Sequence, residues 1–151
     1  MTDETNAPEE KKPDSKYGKY IKSEPVFTVP PMQKKSAPGL KIDEEMWSEI
    51  SACNCNFAFL CIQEPHVMPD PPHKHPYDEF LFFIGGNPLN VKDFGAEIEI
   101  AFGEEWEKHT IKTTSVVYIP KGLQHCPINV KKVTKPIFFG HIMLASKYEK
   151  E

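Results

Sequence analysis

Short apolar runs, each closed by glycine, proline or a polar pair, leave this chain little to build but strands. Residues 56–62, 80–84, 116–119 and 136–144 are brief, rich in Phe, Ile and Val, and bounded by such signals as Gln63-Glu64-Pro65, Gly85-Gly86 and Pro120. Residues 96–102 alternate strictly. Ile98, Ile100 and Phe102 share one parity and Glu97 and Glu99 the other, so one face of this strand is wet, and Gly103 ends it. The run 56–62 is apolar at almost every position, as expected of a strand covered on both faces. The polar, β-branched stretch 109–114 also suits a strand. Helical periodicity is nearly absent. Only 42–50 carries it, with Asp43 placed to cap and Met46, Trp47 and Ile50 on one face of a short helix. No internal repeat is visible, and the pattern predicts an all-β sandwich or barrel.

One segment breaks the apolar pattern with chemistry. His73-Lys74-His75-Pro76-Tyr77-Asp78-Glu79 follows a proline-rich connection and precedes a Phe-rich run. Residues before proline are pushed out of the helical region, which disfavours helix at Pro71 and His75. In extended backbone His73, His75 and Glu79 have one parity and face one side. Two imidazoles and a carboxylate then converge, a donor set suited to Zn, Cu, Fe, Ni or Mn. A His-x-His pair in a proline loop is equally compatible with a solvent-exposed role. Glu79 shifts the balance, because a carboxylate beside Phe80 and Leu81 needs a buried partner. Far along the chain, Pro120-Lys121-Gly122-Leu123-Gln124-His125 forms a turn that delivers another histidine, with Pro120 fixing its entry and Gly122 permitting a positive φ.

Together the two blocks resemble the cupin superfamily. Its motifs are a His-x-His with a Glu and then a Gly beyond, followed by Pro-x-Gly-x-x-His-x-x-x-Asn. His73, His75, Glu79 and Gly86 match the first block, and Pro120, Gly122, His125 and Asn129 the second; Val67 and Thr114 stand where the pattern has glycine. The resemblance covers roughly residues 52–147. It implies a small double-stranded β-helix, or jelly roll, holding one divalent transition metal ion (Fe, Mn, Ni or Zn) on His73, His75, Glu79 and His125. It leaves the reaction open, since cupins include dioxygenases, isomerases and lyases as well as non-catalytic binding and sensing proteins.

Composition narrows the partners. The formal charge of −4 argues against nucleic acid, which is bound through concentrated positive charge. All 18 basic residues are lysine, so no guanidinium fork exists for a carboxylate, and an anionic ligand would rely on lysine, backbone amides or a metal. A small organic molecule is the expected ligand. No apolar run suits a membrane span and the start lacks a secretory pattern, so the expectation is a cytoplasmic protein with no membrane partner. Residues 1–19 read as a disordered tail, 20–50 as an arm of short apolar pieces, 51–147 as the barrel and 148–151 as a tail. The arm predicts a homodimer. Cys53, Cys55, Cys61 and Cys126 are expected as free thiols, and Cys126 as a poor fellow ligand because its side chain should face away from that of His125. His141 fits a hydrogen-bonded core histidine, His66 and His109 fit exposed positions, and Tyr77 either reaches the site or packs the barrel mouth.

Overall fold

The computed structural model describes residues 16–21, 23, 26–27, 36–42, 54–68, 70–145, 147 and 149–151. The expected helix beyond Ile42, Cys53 and residues 1–15 of the expected tail lie outside that set. A 3-10 turn occupies Gly18–Tyr20. The described strands are β1 (Val26–Phe27), β2 (Ser36–Ile42), β3 (Asn56–Ile62), β4 (His66–Val67), β5 (Glu79–Gly85), β6 (Ala96–Phe102), β7 (Glu107–Ile111), β8 (Ser115–Ile119), β9 (His125–Val133) and β10 (Ile137–Met143).

They form two antiparallel sheets. The larger runs β1-β2-β3-β10-β5-β8, and the smaller β4-β9-β6-β7. Burial follows the pleat. On β5, Glu79, Leu81, Phe83 and Gly85 are buried while Phe80, Phe82 and Ile84 are half-buried; on β6, Ile98 and Ile100 point into the same core. Ile62, Phe83, Ile98, Ile100, Ile119, Ile137 and Val130 fill the space between the sheets. Each such side chain stabilises the fold by roughly 1.5–3 kcal/mol relative to exposure.

Two sequence expectations shift. Strand β3 is fully buried only at Leu60 and Ile62. Its other face is half-covered, because Phe57 and Phe59 pack on each other with ring centroids 4.7 Å apart and Phe59 lies 6.3 Å from Phe82 on the outside of the larger sheet. The polar strand expected at 109–114 instead spans Glu107–Ile111. Its exposed side chains give no apolar signal, and its register is set by pairing with β6, where Glu107 faces Phe102 and Ile111 faces Ile98. The wet face of β6 is as expected: Glu99 pairs with Lys131 at 2.9 Å and Lys108 at 3.2 Å, and Glu97 with Lys112 at 3.6 Å.

Candidate metal centre

The two motif segments are stitched together through their backbones. His73 and His125 form an antiparallel bridge, with N–H to O distances of 3.1 and 2.9 Å. The Gly122 N–H donates to the His75 carbonyl at 2.8 Å, and the Lys121 N–H to Asp78 Oδ1 at 2.9 Å. Gly122 has φ +79°, and a Cβ there would meet nothing within 4 Å. The glycine is therefore required for the left-handed turn and not for space. Residues 73–78 are not a continuous strand; the chain makes an isolated bridge and bends before β5 begins at Glu79. The alternation survives nonetheless, since His73, His75 and Glu79 are buried while Lys74 and Pro76 are exposed.

The three imidazoles meet inside the barrel. Ring centroids are 4.8 Å apart for His73 and His75, 4.5 Å for His73 and His125, and 5.2 Å for His75 and His125. Each ring has its Nδ1 on a backbone carbonyl: His73 on Pro71 at 2.6 Å, His125 on Leu123 at 3.0 Å, and His75 on Glu149. Donation from Nδ1–H fixes the neutral tautomer that leaves a lone pair on Nε2, the arrangement that metal-ligating histidines need. Glu79 is 4% exposed, and its Oε2 accepts no hydrogen bond although His125 Nε2 and His75 Nε2 lie 3.1 and 3.3 Å away. Left so, a buried carboxylate oxygen is costly. A cation seated among these atoms removes that cost, and the ligand atoms of His75, Glu79 and His125 all lie within 4.8 Å of one another. The donor set fits a divalent metal.

Electrostatics agree. Burial alone would push the Glu79 carboxyl up, but contact with His125 and His75 holds it down at about 2. For His75, burial works against the charged ring, and Glu79 and the Glu149 carbonyl outweigh it, raising its pKa. Burial lowers His73, with smaller contributions from the neighbouring rings and Lys150.

Sequence alternation misplaces Cys126. Along β9, Ile128 and Val130 are buried while Pro127 and Asn129 are half-buried, and Cys126 shares the buried parity and the same core. His125 is the residue out of phase. The register between β6 and β9 slips by one between Ile100 and Phe102, so that β9 carries an extra residue, and Cys126 takes φ +74°. A bulge of this kind re-aims a side chain next to a site. It turns His125 inward beside Cys126, and two successive side chains enter the barrel. A Cys-Pro pair directly after the motif histidine was the available signal. One ring nitrogen each of His73 and His125 and the Cys126 Sγ lie within 4.8 Å of one another. Burial, with the charges of Asp70 and Glu79, pushes the free thiol up to about 12. Cys55 and Cys61 form no disulfide and are half-buried.

A second feature escaped the sequence. Residues 149–151 lie across the ligand loop as a strap: the Glu151 N–H donates to the Lys74 carbonyl at 2.9 Å, and Lys150 pairs with Asp70. Tyr77 stacks on His75, with centroids 5.2 Å apart and planes 9° from parallel, and its hydroxyl accepts the Glu149 N–H at 2.7 Å and faces the Glu149 carbonyl at 3.2 Å. The carbonyl that orients His75 is thus held by Tyr77. His141 is half-buried and meets Asn56 Oδ1 at 3.0 Å. His109 is exposed and pairs with Glu107 at 2.7 Å. His66 is half-buried, not exposed, because β4 pairs with β9 opposite Val130. Thr114 holds the turn after β5 by accepting the Gly85 N–H at 3.0 Å, and Val67 sits in β4 and not in a turn.

Neither a protein-family model nor a curated protein sequence matches the chain. Solved structures do. Oxalate oxidase in complex with the substrate analogue glycolate superposes with a TM-score of 0.58 over 93% of this chain and 67% of that one, at 15% identity. A further oxalate oxidase structure gives 0.55 over 89% of this chain and 65% of its own length at 16% identity, and recombinant oxalate oxidase with glycolate gives 0.52 over 78% and 54% at 14%. The chain thus spans between about half and two thirds of the length of these proteins, and at such identities the likeness speaks for fold. Two antiparallel sheets enclosing one core, superposable on these jelly rolls, give this chain the cupin β-barrel fold.

Proposed function

We propose that this chain is a metal-binding cupin with one divalent transition metal ion on His73, His75, Glu79 and His125, and that it is a metal-dependent enzyme acting on a small organic molecule in the barrel. The observation that carries the reading is a buried cluster of three carbonyl-locked imidazoles, two of which, His125 and His75, lie 3.1 and 3.3 Å from a carboxylate oxygen that accepts no hydrogen bond. The likeness to oxalate oxidases supports the fold that such a centre requires.

A bound metal would supply Lewis acidity towards an oxygen-donor ligand. The chain's own residues do the rest. Three neutral nitrogens and one carboxylate leave the centre net positive, which favours a small anion, and this matters in a chain without arginine. Pro71, Leu123 and Glu149 hold the rings in the ligating tautomer. Tyr77, stacked on His75, restricts that ring's motion and covers its outer face.

Elemental analysis of protein purified without added metal, combined with mass spectrometry of any co-purifying small molecule, tests the first half of the proposal. About one equivalent of metal is expected. Turnover of a panel of small carboxylic acids, including oxalate and glycolate, tests the second half. Metal present with stoichiometric binding but no turnover across the panel would make the barrel a binding or sensing module instead.

A further inference from the structure

The four-residue centre leaves one nearby donor unused. Cys126 Sγ lies within 4.8 Å of a ring nitrogen of His73 and of His125, and all three residues are buried. Because the Nδ1 atoms of both rings are engaged by the Pro71 and Leu123 carbonyls, the nitrogens free to join the sulfur in ligation are the Nε2 atoms. His125 belongs equally to the His75–Glu79–His125 group, so the two donor triads share a vertex. The β9 bulge is what creates the overlap. In a regular strand either His125 or Cys126 would face inward, whereas here both do. His73 is grouped with Cys126 and His125 and not with His75 and Glu79.

We propose that Cys126 is a ligand of the metal centre, so that the ion is held by sulfur as well as by imidazole and carboxylate. This rests on the metal-binding reading above and modifies it: with the thiolate added a divalent centre is neutral, and an anion binds through an open coordination position and not through net charge. On ligation the thiol gives up its proton to solvent and the thiolate binds the ion; no electron is transferred. A thiolate in the set favours softer borderline ions such as Zn over Mn, which prefers oxygen and water.

X-ray absorption on the zinc-loaded full-length protein reads the ligands directly. The expected result is a sulfur shell at about 2.3 Å beside nitrogen and oxygen at about 2.0–2.2 Å, present in the parent and lost in Cys126→Ser. Cobalt-loaded samples should show a sulfur-to-metal charge-transfer band in the near ultraviolet that disappears in the same variant, with metal affinity weakened by at least about tenfold. Cys126→Ala, judged folded by circular dichroism, guards against an effect peculiar to serine. One equivalent of zinc bound with only nitrogen and oxygen neighbours would overturn the proposal and leave the four-ligand centre standing. A sulfur signal that persists in both variants would assign it to one of the other three cysteines, Cys53, Cys55 or Cys61, and also overturn it. Failure of the parent to bind zinc or cobalt at all would overturn the metal reading itself.

Discussion

Tyr77→Phe isolates the strap from the barrel. The substitution keeps the ring that stacks on His75 and removes only the hydroxyl, which accepts the Glu149 N–H at 2.7 Å and faces the Glu149 carbonyl at 3.2 Å. A hydrogen bond contributes about 0.5–1.5 kcal/mol net, and at a partly exposed site the two together are worth about 1 kcal/mol. That corresponds to about fivefold in the equilibrium between docked and open strap. Hydrogen exchange should report it at the Glu151 amide, which donates to the Lys74 carbonyl, with about fivefold faster exchange. Amides in the β5–β10 ladder should be unchanged, because no core contact is touched. Metal affinity should weaken by no more than the same factor, since His75 loses its Glu149 acceptor only while the strap is open. Equal protection of Glu151 in parent and variant would refute the idea that Tyr77 holds the strap.

Gly122→Ala should lower Tm by a few degrees through about 1–2 kcal/mol of left-handed strain, although its Cβ meets nothing, and Gly122→Asn should cost less; thermal unfolding checks both. In the metal-free protein the lowered Glu79 pKa adds stability that is present above about 4.5 and lost as pH falls towards about 2, while the raised His75 pKa adds stability present below 6.5 and lost as pH rises through its folded value. The pair therefore stabilises most between about 4.5 and 6.5, and denaturation across pH should show Glu79→Gln losing that advantage. Metal affinity should run the other way, strengthening as pH rises above about 6.5, because the ion displaces the proton on His75. Titration with zinc at several pH values reads the slope.

Much of this was legible in the chain. The spans of β3 and β6 follow from their apolar and alternating patterns, and the burial of His73, His75 and Glu79 from parity alone. What the sequence concealed has three physical sources, the first being that alternation assumes regular backbone. The bulge at Cys126 adds a residue to β9 and so reverses the expected facing of its thiol. Strand β7 carries mostly exposed polar side chains, so only its pairing with β6 marks its span. The strap is recognised by backbone groups, with the Glu149 carbonyl and the Glu151 amide making the contacts, and backbone groups leave no residue-type signal.

The central claim is that residues far apart in sequence form one metal centre. Elemental analysis of His125→Ala beside His66→Ala, each purified in parallel with the parent, tests it most directly. His125 lies 3.1 Å from Glu79 Oε2, whereas His66 belongs to neither donor group. The account predicts that His125→Ala loses most of its metal and that His66→Ala keeps the parent's content. Full occupancy in His125→Ala, in protein that remains folded, would contradict it.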